Sequence, residues 1–239
     1  MLKGASKLAL TTVKQDKCKP VTAQMILLIR GKLNLDNPFN ATFLACLTII
    51  FYLAAQVGEF TILRLDSFNL VQHISCTRVC DDTDHNSLHT KVFLLPCIKS
   101  CLAGEEVHWA RQDGHTDPLS AFNRHISIND PLADSPLFAY KSTKGHCPMT
   151  RQTFVVQLNK VTQATRLNRV HGHSIRIGAT LEYLLQGVPF DIVKVKGCWA
   201  SNAFQLYLRK HNQILAPYMQ SMPPETALEF TKLAMPPVH

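Results

Sequence analysis

The stretch from Phe43 to Ala55, FLACLTIIFYLAA, carries neither a charge nor an amide side chain. A helix that is apolar on every face must be covered on every face. The run falls short of the roughly 20 residues that a bilayer demands. Asn37 to Asn40 open it and Gln56 and Glu59 close it. It therefore predicts a central core helix, from about Ala41 to Val57 and stopped at Gly58, and not a membrane span. Everything else in the chain must wrap around it. A hydrophobic content of 46% over 239 residues is enough for a core of that kind.

The flanking sequence supplies the wrapping. Thr22 is placed to cap a helix through Met25, Ile26 and Ile29 to about Lys32. Beyond the central helix, Val71–Val79, Lys91–Leu95 and Glu105–Ala110 are rich in β-branched or apolar residues and read as strands. Asp81-Asp82-Thr83-Asp84 reads as a turn, and Pro96–Gly104 as the connection between the last two strands, with Lys99 at its tip. Helices resume over Pro118–Ile126, from a Thr150 cap to Thr165, over Ser174–Gln186, over Pro189–Val195 and over Ala203–Leu215. Asp130–Pro136 and Lys141–Pro148 read as loops, and a weak helix at Glu225–Leu233 lies in a proline-punctuated tail. Helices, then a small antiparallel sheet, then helices describe an α+β, mostly helical fold. It lacks the strand–helix alternation and the glycine-rich phosphate loop of an ATPase or kinase.

The net charge of +8 and a pI near 9.1 favour a polyanionic partner through counterion release. The start, Met1-Leu-Lys-Gly-Ala-Ser-Lys, has no apolar signal-peptide core, so free thiols are expected for the eight cysteines. The pairs Cys76/Cys80 and Cys97/Cys101, with His85 and His108 nearby, are the one arrangement that suggests zinc; three intervening residues is a loose spacing in a strand-like region, and no metal is expected.

The chemistry lies near the C-terminal end. His173-Ser-Ile-Arg176 sets a histidine and an arginine on one helical face, Gly197-Cys-Trp199 follows, and then Ala203-Phe-Gln-Leu-Tyr207-Leu-Arg209. Arginine offers a fixed fork of donors for phosphate oxygens, histidine holds or moves a proton near neutrality, the indole N–H donates, and a phenol can attack. Two other tyrosines compete with Tyr207. Tyr183 lies two turns beyond Arg176 among core-like neighbours, and Tyr218 lies in the tail. His171 rivals His173 but lacks an arginine at the same offset and reads as a loop residue.

Jointly these motifs resemble the tyrosine recombinases, the phage-integrase type of DNA breaking-rejoining enzyme, and within them the crypton-like group of eukaryotic mobile elements. The resemblance runs from about Pro20 to His239. It divides the chain into a basic arm at 1–20, a catalytic domain at 21–216 and a tail at 217–239. It implies Tyr207 as nucleophile and Arg176, His173 and Trp199 as phosphate-binding groups. Lys99 matches the β-hairpin lysine and Glu59 the supporting acid. The first catalytic arginine is expected at position 56, where this chain has glutamine, and many relatives have arginine where this chain has Cys198. A separate helical clamp domain usually precedes the catalytic one; the residues ahead of Thr22 are expected to leave no room for it.

The implied reaction needs no metal and no cofactor. Tyr207 attacks a DNA phosphate, forming a 3′-phosphotyrosyl bond. Arg176, His173 and Trp199 stabilise the charged transition state, and Lys99 protonates the departing 5′ oxygen. Gln56 sets an alternative beside this: a catalytically impaired DNA-binding remnant. Among basic residues near the site (Lys99, Arg166, Arg169, Lys194, Lys196, Arg209 and Lys210), Lys194, Lys196, Arg209 and Lys210 are expected to contact the DNA backbone. The partner implied is double-stranded DNA, with self-association through Gln213–His239 and a nuclear location, and no membrane.

Overall fold

A computed structural model describes residues 19–83, 87–98, 101, 103–167 and 170–199. The expected helices after Trp199, with Tyr207, Arg209 and Lys210, lie outside the described residues, as do Lys99 and Arg169.

Helix α1 (Ala23–Arg30) starts at Thr22, whose hydroxyl accepts from the Met25 N–H at 3.2 Å, and buries Ile26 and Ile29. The central helix, α2, runs Pro38–Tyr52, earlier at both ends than the sequence suggested. Asn37 caps it, its Oδ1 accepting from the Asn40 N–H at 3.1 Å, and Pro38 fits the first turn because no donor is needed there. Every side chain from Ala41 to Tyr52 is buried. The two threonine hydroxyls in the run are satisfied within the helix: Thr42 donates to the Pro38 carbonyl and Thr48 to the Leu44 carbonyl, both at 3.0 Å. The helix ends because Ala54 adopts φ 51°, a left-handed turn. That turn frees Gln56 to start a separate short helix, α3 (Val57–Phe60).

A three-stranded antiparallel sheet follows, β1 (Val79–Thr83), β2 (His89–Leu95) and β3 (Glu105–Ala110), in the order β1-β2-β3. β2 and β3 stand where their patterns put them, with Phe93 opposite Val107 and Lys91 opposite Trp109. The first strand does not. The residues around Gln72 turn, Cys76–Arg78 form a single 3-10 turn, and the acidic residues Asp81 and Asp82, expected in a turn, are paired strand. β1 is mostly exposed, so apolar patterning cannot mark it; backbone pairing to β2 holds it, together with an ion pair from Lys91 to Asp81 at 2.5 Å.

Helix α4 (Pro118–Asn129), capped by Asp117 at the Leu119 and Ser120 N–H groups, packs on α2. The segment read as a loop at 141–148 belongs to a hairpin, β4 (Ala139–Ser142) and β5 (Gly145–Pro148). Helices α5 (Arg151–Ala164), α6 (Gly172–Leu185) and α7 (Phe190–Lys196) complete the described chain. α2, α4, α6 and β4 meet in one core, onto which Phe93 of the sheet packs through Phe60 and Phe122, with ring centroids 5.7 and 6.1 Å away. Gly178 of α6 lets the chain at Val21 cross close by: a Cβ there would meet the Val21 carbonyl oxygen at 1.6 Å, and the Val21 N–H donates to Ser174 at 2.9 Å. Among the described residues no helix is long and apolar enough to cross a membrane, and no cluster of three metal-ligating side chains occurs. The described cysteines are free thiols.

Candidate active site

Two helix starts create the site. Gln56 sits at the N-cap of α3 and its N–H donates to Glu59 Oε2 at 2.7 Å. His171 sits at the N-cap of α6, where its N–H donates to the Ser174 hydroxyl at 3.1 Å. His171 is therefore a capping residue as well as part of the groove wall. His173 follows, exposed, on the first turn, and Arg176, one turn further, is 4% exposed. The three-residue offset that put both on one face leaves the histidine at the rim and the arginine at the base.

Arg176 is held from several sides. Its Nη2 donates to the Gly197 carbonyl. The Trp199 ring covers its guanidinium, 4.2 Å from the ring centroid. Glu59 lies within range of its charge. Burial raises the Glu59 carboxyl, against the lowering effects of the Gln56 N–H and the Arg176 cation. A planar cation gripped along one edge and across one face has few rotamers left, the preorganisation that phosphate binding requires.

The Gly197–Trp199 turn depends on its glycine. A Cβ on Gly197 would stand 1.8 Å from a Trp199 ring atom, so the indole lies against bare backbone. Cys198 turns the chain in the left-handed region at φ 52°. Its thiol is pushed up to about 11 by burial, with Glu105 and Glu59 adding to the rise.

Gln56, His171, His173 and Arg176 all line one groove of about 1020 Å³. Its other wall is α5, through Arg151, Gln152, Val156, Asn159 and Lys160. Among the described residues that line it there is no acid. The α5 wall was not foreseen. Its signal was present in the sequence as exposed polar and basic side chains at helical spacing, indistinguishable there from an ordinary solvated face.

The remaining expected residues divide. Trp199 and Glu59 flank Arg176 as described. Lys194 is half-buried on α7. Lys196, expected along a phosphate track, donates instead to the His108 carbonyl at 2.9 Å and lies over the Tyr183 ring. Lys99 lies outside the described residues, although the connection that carries it does join β2 to β3. Tyr207 also lies outside them. Its rival Tyr183 is a core residue whose hydroxyl donates to the Tyr52 carbonyl at 2.7 Å, and burial raises its phenol. In that bond it is not available as a nucleophile.

No protein-family model matches this sequence, and no curated protein does. Solved structures do. An FLP recombinase–Holliday junction complex matches with a TM-score of 0.51 and 11% identity, covering 87% of this chain and 47% of that one. A complex of a Flpe mutant with a DNA Holliday junction matches with a TM-score of 0.50 and 11% identity, covering 97% of this chain and 54% of the other. This chain thus spans about half the length of the structures it resembles. The likeness is one of fold alone: an α+β, mostly helical arrangement shared with part of those recombinase structures.

Proposed function

We propose that this chain is the catalytic domain of a tyrosine recombinase that cleaves and rejoins DNA strands through a 3′-phosphotyrosyl intermediate. The observation that carries the reading is Arg176: a buried guanidinium, clamped by the Gly197 carbonyl and the Trp199 ring, bordering the same groove as His173 and Gln56, which has no acid among its described lining residues. A buried cation aimed at a basic groove suits a phosphate diester. The recombinase fold adds support from a second direction.

In this reading the scissile phosphate occupies the groove beside Arg176 and His173. The Tyr207 oxygen attacks phosphorus, the bond to the 5′ oxygen breaks, and Lys99 gives that oxygen its proton. Arg176, His173 and Trp199 stabilise the charge that builds on the phosphoryl oxygens. A 5′ hydroxyl from a second strand then attacks the phosphotyrosine and releases Tyr207, so the phosphodiester energy is conserved. Glu59 steadies Gln56 and Arg176. Lys194, Arg209 and Lys210 contact backbone phosphates. Integration or site-specific recombination of a crypton-like mobile element, in the nucleus, is the setting that the motifs suggest, with subunits associating on DNA through the segment after Tyr207.

Gln56 favours a second reading. It occupies the groove position expected for a phosphate-binding arginine, and a neutral amide cannot make a charge-assisted fork. Loss of one preorganised donor costs about 10²–10³ in rate. The alternative is a copy that folds and binds DNA but cleaves poorly. A nicked suicide duplex, which traps the covalent adduct, separates the two. The enzyme reading expects an adduct in the wild type, none in Tyr207→Phe, and a rate raised by about 10²–10³ in Gln56→Arg. DNA binding with no adduct in either wild type or Gln56→Arg leaves only the remnant.

A further inference from the structure

Helix α7 delivers the turn on which Arg176 is clamped. It has seven residues and one buried side chain, Val193, while Ile192 and Val195 are 56% and 75% exposed. A helix of that length does not stand alone. The turn it carries includes a left-handed non-glycine residue, Cys198, a conformation that persists only when its surroundings enforce it. Lys196, the last residue of α7, immediately precedes this turn. Its Nζ donates to the His108 carbonyl on β3 at 2.9 Å and lies 4.9 Å from the centroid of the Tyr183 ring on α6. Tyr183 is itself fixed by its bond to the Tyr52 carbonyl. One ammonium therefore joins α7 to the sheet and to the helix that bears Arg176.

We propose that Lys196 is a positioning residue of the phosphate site: by pinning the end of α7 to β3 and to Tyr183, it holds the Gly197–Trp199 turn against the Arg176 guanidinium. What the site then does rests on the recombinase reading, but the placement of the turn is a property of this chain alone. Lys196 acts through Trp199 and Gly197 and not by touching DNA.

The pin needs its charge, because both the ring contact and the charge-assisted bond weaken when the ammonium loses a proton. Burial pushes the Lys196 ammonium down to about 8. The groups that face it are the Tyr183 phenol on α6, the backbone carbonyl of His108 on β3 and the Cys198 thiol in the turn; Glu105, Glu59, Arg176 and Cys101 lie around that thiol. Burial raises both the phenol and the thiol, so both remain neutral as the lysine titrates. The pin is in place below pH 8 and is released as pH rises through about 8.

The chain has two tryptophans, Trp109 and Trp199. Subtracting the emission of a Trp199→Phe counterpart therefore isolates Trp199, and acrylamide quenching reports how well the turn shields it. In the wild type, quenching of Trp199 should rise severalfold between about pH 7 and 9. Lys196→Arg, which stays charged, should abolish that rise, and Lys196→Met should show high quenching throughout. With nicked DNA at saturation, Lys196→Met should slow adduct formation about tenfold while leaving the salt slope of DNA affinity unchanged. Trp199 quenching that ignores pH in the wild type overturns the proposal, and this comparison with Lys196→Arg decides the matter even where Lys196→Met does not fold. A salt slope reduced by about one, with an unchanged saturated rate, makes Lys196 a phosphate contact and overturns it equally. If neither wild type nor Gln56→Arg forms an adduct, the recombinase reading fails by itself and the quenching measurements still decide the role of Lys196.

Discussion

At the scale of single residues, the site depends on what is missing as much as on what is present. Gly197 has no side chain, and Trp199 lies where one would be. Gly197→Ala should displace the indole, cost about 1–3 kcal/mol of stability by overpacking, and loosen the clamp on Arg176. Urea unfolding followed by emission measures the first effect, and increased quenching of Trp199 in the folded protein the second. In the proposed recombinase reading, Arg176→Lys should lower adduct formation on the nicked duplex more than its unchanged charge suggests. A lysine keeps one cation but loses the planar group that bonds to Gly197 and stacks on Trp199. The His-x-x-Arg spacing and the tryptophan were legible in the sequence. The function of Gly197 was not, because it exists only once Arg176, twenty-one residues earlier in the chain, has been folded beneath it.

At the scale of elements, the joint between α2, α4 and the β4–β5 hairpin is a buried polar cluster centred on His125. Its Nε2–H donates to the Leu137 carbonyl at 2.9 Å, and its Nδ1 accepts from Asn129 Nδ2 at 3.1 Å, beside the Thr42 hydroxyl. Both ring nitrogens are thus occupied in the neutral form. Burial lowers His125 from 6.5 to about 4, against a smaller raising effect of the Leu137 bond. The sign follows from linkage: the unfolded chain takes up a proton that the folded one refuses. Full stability is present above pH 6.5 and is lost progressively as pH falls toward about 4. The loss should reach about 3 kcal/mol. Urea midpoints at pH 7 and pH 4 should show that drop in the wild type and a much smaller one in His125→Gln. At the start of α2, Asn37→Ala should cost about 1 kcal/mol through the lost cap, read as a lower melting temperature. The elements that escaped sequence reading share one physical character. β1 and the β4–β5 hairpin are largely exposed and polar, so the pairing of their backbones defines them and no hydrophobic period announces them. The shortened end of α2 was hidden for another reason: nothing in Leu-Ala-Ala advertises a left-handed Ala54.

At the scale of the whole molecule, the net charge of +8 and a groove with no acid among its described lining residues lead to one expectation about binding. If the proposed DNA partner occupies the groove, affinity for duplex DNA should fall linearly in log K against log salt. Arg151→Glu and Lys160→Glu, on the far wall of the groove, should each lower the slope by about one with little effect on stability. Fluorescence anisotropy across a salt series tests both, and slopes equal to that of the wild type would place the DNA elsewhere. The sequence by itself determined the all-apolar helix that has to be buried, the helix–sheet–helix order built around it, and the residue types able to bind and attack a phosphate. Those are properties of local composition and spacing, which a linear chain displays directly. Only the tertiary structure decided that Gln56 and His173, far apart in the chain, open onto one groove, that α5 forms its opposite wall, and that Lys196 bonds back to β3 while Arg176 is clamped. Each of these depends on which elements come to lie side by side, and that follows from how several amphipathic faces share one core, not from any one of them alone.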